Sequence, residues 1–233
     1  MCTSFIHKGK DIIVGFNFDV DLKVWDYKVF LAPDRFYIGI KVNGRYHPYH
    51  GVSSLGNFGN LLYIPENENG KYRCSPKCFR IDLLSEQYIN NILTYDNILN
   101  ILKEKSIINV PNCSMHSLLT DKKGRAVVIE PGIGYKEINA NYFIVTNYSV
   151  LDPESTKKDI ISGDDRYERG KAILESANED FSVSDALNLL KEVRQEGLWA
   201  TRVSFVYSTK QNKVYYVLDN NFDDVREHKL STK

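Results

Sequence analysis

The chain has 233 residues, 42% of them hydrophobic, and its 30 basic and 30 acidic side chains cancel. That length suits one layered domain with a sizeable core, and the zero net charge supplies no field to recommend nucleic acid or an anionic membrane as a partner. Four cysteines are too few for a disulfide scaffold, no window is apolar for the roughly eighteen residues a membrane span needs, and no signal-like start is present, so the expected place is the cytoplasm with its thiols reduced.

The first nineteen residues carry most of the chemistry. Residues 3–7 are apolar and β-branched, 8–11 have turn chemistry, and 12–14 resume the apolar run before Gly15, a hairpin that sets Asp19 beside Cys2. If Met1 is removed, Cys2 becomes the first residue and carries both a thiol and a free α-amine. An α-amine with a pKa of about 8 accepts a proton near neutrality, unlike a Lys amine, so it can serve as the base for its own side chain. The plainer alternative is a cysteine that merely begins a buried first strand.

Residues 25–40 read as strand interrupted by Ala32-Pro33-Asp34, and Asn43-Gly44 predicts a tight hairpin turn, giving a meander. His47 and His50 lack a third ligand at helical spacing, so this loop is read as pocket lining and not as a metal site. Gly51, Gly56 and Gly59 punctuate a segment that runs into a strand through Tyr63, with no Gly-Lys-Ser/Thr to make it a phosphate loop. Residues 65–77 form a polar loop, and Cys74 and Cys78 are free thiols with no second ligand pair. The apolar spacing over 85–105 predicts two short amphipathic helices split near residue 95, the second capped by Thr94 or Asp96.

Residues 113–130 read as strand, tight turn, strand, and place Cys113 close to His116. A thiol–imidazole dyad is therefore the chief rival to an N-terminal nucleophile. The next apolar strand ends in Thr146-Asn147, delivering a neutral amide donor to a sheet edge, which suits a developing oxyanion and equally suits turn chemistry. Asp164-Asp165-Arg166 opens a helix, and 182–196 is a second, amphipathic helix begun by Ser182 or Ser184. Strands over 201–208 and 213–218 and a polar tail close the chain. Pattern alone gives a mixed α+β protein.

Met1-Cys2-Thr3-Ser4-Phe5 followed by Gly15-Phe16-Asn17-Phe18-Asp19, then Val145-Thr146-Asn147 and Arg166-Tyr167-Glu168-Arg169, resembles in order the motifs of the choloylglycine hydrolase and penicillin V acylase family. These are N-terminal-nucleophile hydrolases of linear amides, with acid ceramidase a more distant relative. The chain departs from the family at Phe16, which stands where an Arg is expected. The resemblance implies a four-layer αββα sandwich, two antiparallel sheets between helical layers, formed by one domain over residues 2–233 once Met1 is gone.

It also implies roles. Cys2 would be the nucleophile, Asp19 would orient its α-amine, Asn147 and the Tyr63 region would hold the oxyanion, and Arg166, with Arg169 as second choice, would support the charge. Phe16, Asn17, Tyr46 and Tyr49 are expected to contact the substrate, a small N-acyl amide. No cofactor and no metal is expected, and the oligomeric state, homo-oligomer included, stays open. The implied activity is amide hydrolysis through an acyl-Cys2 thioester. An acyltransferase using the same intermediate and a non-catalytic ligand-binding descendant, which Phe16 suggests, are the alternatives.

Overall fold

The structure is a computed structural model that describes residues 2–231, so the fate of Met1 and the last two residues of the expected domain lie outside the described residues. The chain opens with β1 (Thr3–Lys8) and β2 (Ile12–Asp19), continues through β3 (Tyr27–Ala32), β4 (Arg35–Val42) and β5 (Arg45–Ser53), and adds the short β6 (Phe58–Gly59) and β7 (Leu62–Tyr63). A second part comprises β8 (Cys78–Arg80), α1 (Ile81–Ile89), α2 (Tyr95–Glu104), β9 (Ser106–Ile108), β10 (Met115–Thr120), β11 (Ala126–Glu130), β12 (Gly134–Glu137) and β13 (Tyr142–Val145). Then come α3 (Pro153–Thr156), α4 (Arg166–Ser176), α5 (Val183–Glu192), β14 (Thr201–Ser208), β15 (Lys213–Leu218) and β16 (Arg226–Lys229).

Among the described residues the strands form two antiparallel sheets, β13-β1-β2-β14-β15-β16 and β12-β11-β10-β6-β5-β4-β3, with β7 also on β10 and β8 pairing β9 in parallel at the side. Alternation along each strand sorts side chains between two apolar layers. From β1 and β2, Ile6, Val14, Phe16 and Phe18 point between the sheets, where they meet Phe36, Ile38, Phe58 and Val128 of the other sheet. Their neighbours Phe5 and Ile13 point outward onto Leu174, Leu189 and Leu190 of α4 and α5. Leu119, Val127 and Ile129 do the same on the other side, against Ile81, Leu84, Ile98 and Leu102 of α1 and α2. The result is the αββα order. Each fully buried Phe, Leu or Ile contributes about 1.5–3 kcal/mol, so the three layers of apolar contact are the main source of stability.

Local chemistry sets the ends of these elements. Asn43 and Gly44 both have positive φ, 49° and 79°, the conformation of a two-residue turn matched to strand twist. Thr94 accepts from the Asn97 N–H while Asn97 answers the Thr94 N–H, and Ser182 and Asp185 form the same reciprocal cap on α5. Gly15 sits opposite Phe5, where a Cβ would come within 2.3 Å of the Phe5 ring. The smallest side chain there lets the ring lie across the strand.

Two local expectations change. The polar tail adds β16, which pairs antiparallel with residues 213–216 of β15. The segment around Tyr63 extends only over Leu62–Tyr63, in the same register on β10 as β6, because between them the Asn60 side chain bonds the Leu118 main chain and the Leu61 N–H turns to His50.

Candidate active site

β1 and β2 pair so that Thr3 lies opposite Asn17 and Phe5 opposite Gly15. This places Cys2 next to the end of β2, with its Sγ 3.8 Å from the Asp19 carbonyl oxygen. On the other flank β13 pairs β1 through Ser4 and Val145, so the chain leaving β13 carries Asn147 past Cys2. The Cys2 main-chain nitrogen donates to Asn147 Oδ1 at 2.8 Å.

Asn147 is 1% exposed, and its amide has only one workable orientation. Oδ1 accepts from Cys2 N and from Arg166 Nη2 at 3.1 Å, while Nδ2 donates to the Tyr63 carbonyl at 2.7 Å. A flip would set nitrogen against the donor-only guanidinium and oxygen against a carbonyl.

Arg166, the first residue of α4, is 3% exposed. Asp164 grips its Nε and Nη2, both at 2.8 Å, and Nη1 reaches the Cys2 carbonyl at 3.2 Å and Asp19 Oδ2 at 3.4 Å. A guanidinium is suited to this work because its five N–H groups diverge in a fixed plane. Despite the cost of its own burial, Arg166 is pushed above its ordinary value by Asp164 and Asp19 and stays charged. Asp164 is held below the usual carboxylate range, its burial outweighed by Arg166.

Asp19 behaves differently. Its Oδ1 accepts from the Thr201 hydroxyl at 2.6 Å, yet burial pushes the carboxyl up to about 7 against the pull of Arg166 and Thr201. Burial also pushes the Cys2 thiol up to about 11, with the Asp19 charge acting in the same direction and Arg166 in the opposite one. The sulfur is therefore a thiol at neutral pH and requires a proton acceptor to become a nucleophile.

Cys2 forms part of the wall of a cavity of about 570 Å³. Apolar side chains dominate it, among them Phe18, Trp25, Ile40, Leu61, Met115 and Trp199, with Tyr49, His50, Arg80 and Asp82 as polar members. Such a cavity accommodates a small molecule with a sizeable apolar part.

The structure brings together Cys2, Asp19, Asn147, Arg166 and the Tyr63 carbonyl, and it places Tyr49 on the cavity. It corrects three of the expected substrate contacts, which do not line the cavity. Phe16 is fully buried between the sheets, stacked on His50 and packed on Phe205. Asn17 faces the opposite side of its strand, where it donates to the Leu190 carbonyl at 2.8 Å and accepts from Ser204 at 2.7 Å, tying β2 to α5. Phe18 shares the inter-sheet face with Phe16 but lies nearer the end of β2, and it is the β2 aromatic on the cavity wall. Tyr46 lies at an exposed hairpin end and donates to Asp26 at 3.0 Å.

Arg169 also lies on the surface, paired with Asp165 at 2.9 Å. Cys113 lines the cavity, but the His116 ring is engaged elsewhere, with Nε2 2.6 Å from the Thr146 carbonyl and Nδ1 3.3 Å from Glu130. Glu130 in turn accepts from Ser149 Oγ at 2.5 Å and from the Val150 N–H at 2.8 Å. His116 and Glu130 thus brace the chain on both sides of Asn147.

Sequence reasoning missed Asp164, Thr201 and Glu130. Asp164 was visible two residues before Arg166, a spacing that allows a carboxylate to fold back onto the guanidinium. Thr201 depends on the pairing of β14 with β2, opposite Asp19, which no local pattern announces.

The sequence matches no family model and no curated protein. The fold has known counterparts. The conjugated bile acid hydrolase of Clostridium perfringens superposes with a TM-score of 0.71 at 13% identity, over 98% of this chain and 92% of its own. Penicillin V acylase from Agrobacterium tumefaciens gives 0.66 at 14% identity, over 97% and 90%. The Caenorhabditis elegans orthologue of N-acylethanolamine-hydrolyzing acid amidase gives 0.50 at 16%, over 89% and 93%.

This is the N-terminal-nucleophile hydrolase fold. In that fold as this chain builds it, the two central sheets converge on the beginning of β1, and the residue there receives polar partners from β2, from the end of β13 and from the start of α4. Among the described residues no helix is long and apolar enough to cross a membrane.

Proposed function

We propose that this protein hydrolyses linear N-acyl amides through Cys2, exposed as the first residue by removal of Met1. The observation that carries this reading is the hydrogen bond from the Cys2 nitrogen to Asn147 Oδ1 at 2.8 Å, beside a buried Arg166 and at the wall of an apolar cavity. Asn147 holds the main-chain nitrogen of Cys2 and Arg166 its carbonyl, so two side chains from distant parts of the chain fix the position of this residue.

The chemistry follows from proton bookkeeping. The Cys2 α-amine, with an ordinary pKa of about 8, takes the thiol proton as sulfur attacks the amide carbonyl. Negative charge collects on the carbonyl oxygen, and the second N–H of Asn147 Nδ2, together with the main-chain N–H of Tyr63, provides neutral donors for it. The α-amine then gives its proton to the departing amine, leaving a thioester, and water attacks the thioester to release the acid. Asn147 Oδ1 and Asp19 orient the α-amine. Arg166 fixes both of them and lends positive charge without being able to donate its own proton at neutral pH.

The test joins intact mass to turnover. Purified active protein is expected to lack Met1 and to accumulate an acyl adduct on Cys2 when quenched with an amide substrate, and Cys2→Ala is expected to abolish turnover across a panel of acyl amides. Full activity in a chain that retains Met1, or in Cys2→Ala, rules the reading out.

A further inference from the structure

The same cavity contains a buried polar group that the amidase chemistry does not use. His50, on the sheet-facing side of β5, is 5% exposed and lines the cavity. Its ring is stacked on Phe16 at 5.1 Å with an 18° interplanar angle and lies against Phe18 at 5.1 Å. The Leu61 N–H donates to its Nδ1 at 3.1 Å. That bond fixes the tautomer: Nδ1 is the acceptor, so the proton of the neutral ring stands on Nε2. Burial lowers the ring's pKa to about 3, which keeps it neutral throughout the physiological range. Among the described residues Nε2 has no hydrogen-bond partner. Nε2 is not sealed off from the cavity, so a ligand or water there can accept its proton in a hydrogen bond.

Charge narrows the ligand further. Among the described residues that line the cavity, Arg80 is the only Arg or Lys, and its Nε and Nη2 are both taken by Asp82, at 3.0 and 2.5 Å. The Tyr49 hydroxyl adds a third donor to Asp82 at 3.3 Å. A carboxylate entering this space would lose water and meet only a guanidinium whose charge Asp82 already balances.

We propose that His50 determines substrate choice, its Nε2–H donating to an uncharged acceptor oxygen of a neutral N-acyl amide, and that the cavity discriminates against amides bearing a carboxylate. This rests on the amidase reading and specifies its substrate class. Phe16 and Phe18 hold the imidazole edge toward the ligand, so the donor is rigid and its loss is not easily made good by another side chain.

Two substitutions separate the two ring nitrogens. His50→Asn places an amide oxygen where Nδ1 stands, keeping the Leu61 N–H satisfied while deleting the Nε2–H. His50→Gln places an amide nitrogen near Nε2 and restores the donor. The substrates are coumarin amides of one alkyl chain length, with a single chain carbonyl stepped along the chain, an all-methylene reference, and a version ending in carboxylate.

Wild type is expected to prefer one carbonyl position over the all-methylene reference by roughly ten- to a hundredfold in kcat/KM. His50→Asn should erase that preference, His50→Gln should recover part of it, and the carboxylate version should be at least about tenfold poorer than the reference. The same compounds titrated into Cys2→Ala read the discrimination as differences in Kd, independently of turnover. Equal treatment of all carbonyl positions, a preference that survives in His50→Asn, or a preference for the carboxylate overturns the proposal. Electrophile labelling of Cys2 followed by intact mass separates this from failure of the amidase reading: an unreactive Cys2 with no amide turnover sinks that reading, whatever the titrations show for His50.

Discussion

Asn147 Oδ1 lies 2.8 Å from the Cys2 nitrogen and also accepts from Arg166 at 3.1 Å. One amide oxygen therefore couples the head of β1 to the head of α4, and its nitrogen is turned toward the Tyr63 carbonyl as a consequence. Function and local stability are separable here, because the oxygen organises the site while the nitrogen is the group proposed to meet the reacting carbonyl.

Asn147→Ala removes both. The expected result is a fall of about 10²–10³ in kcat on a responsive acyl amide, with a folded protein destabilised by about 1–3 kcal/mol from the loss of buried hydrogen bonds. Turnover measured alongside thermal unfolding checks this. Wild-type kcat in a folded Asn147→Ala protein would reject the oxyanion assignment.

Arg166 is a more severe site. It is 3% exposed and pairs Asp19, which is wholly buried, and Asp164, which is partly buried. Arg166→Met leaves those carboxylates without their cation, and breaking a buried pair in this way costs about 3–5 kcal/mol, or roughly 10 °C in Tm for a chain of this size. Arg166→Lys keeps the charge but cannot span Asp164, Asp19, Asn147 and the Cys2 carbonyl at once, so it should fold better than Arg166→Met and still lose most activity. Thermal melts and kinetics on the two variants test the ordering. Equal stability of Arg166→Met and wild type would show that the pairing is worth little.

How much of this could be read from the sequence depended on whether the signal was local. The hairpin of β1 and β2, the split between α1 and α2 at Thr94, the Ser182 cap and the last long hairpin all follow from residues near one another in the chain, and the structure has them. Assigning a side chain to a face was harder. Phe16 and Phe18 share the inter-sheet face of β2 and Asn17 lies on the other, so the face excludes Asn17, while position along the strand puts Phe18 and not Phe16 on the cavity wall. The expectation favoured Phe16 and Asn17, whereas Phe18 is the one on the wall. Thr201 and Glu130 were invisible for a different reason. Their importance arises from strand partners and loop contacts far away in sequence, Asp19 for one and residues 149–150 for the other.

Glu130 offers a test through pH. Burial works to raise its pKa, but His116, Ser149 and the Val150 N–H outweigh that and hold it below its ordinary 4.5. A carboxylate depressed in the folded state stabilises the fold above its ordinary value, and that contribution is lost as pH falls through the depressed one. Wild-type Tm should therefore fall below about pH 4.5. Glu130→Gln should be less stable at pH 7 by about 2 kcal/mol, roughly 4–8 °C, and should show a shallower acid decline. Because Glu130 acts on Asn147 through Ser149 and His116, kcat should drop more than KM rises. An unchanged acid decline in Glu130→Gln would assign that decline to other carboxylates.

Asp19 has the opposite sign, which ties the acid limb of activity to the site itself. Burial raises its carboxyl to about 7 from an ordinary 3.8. The folded state thus holds a proton there that the unfolded chain releases, so the contribution to stability is complete below pH 3.8 and is lost as pH rises through about 7. The proposed role of Asp19 in orienting the α-amine requires its ionised form. Activity requires Asp19 ionised and the α-amine unprotonated, so kcat/KM and the rate of Cys2 alkylation should both rise through a limb at about pH 7–8. In a chain with an extension ahead of Cys2, the thiol itself, pushed up to about 11, should govern alkylation, moving the limb several pH units higher. Asp19→Asn should gain Tm relative to wild type between pH 5 and pH 8 while losing turnover. A Tm difference from Asp19→Asn that stays flat between pH 5 and pH 8 would show that Asp19 is ionised throughout and that Arg166 outweighs burial.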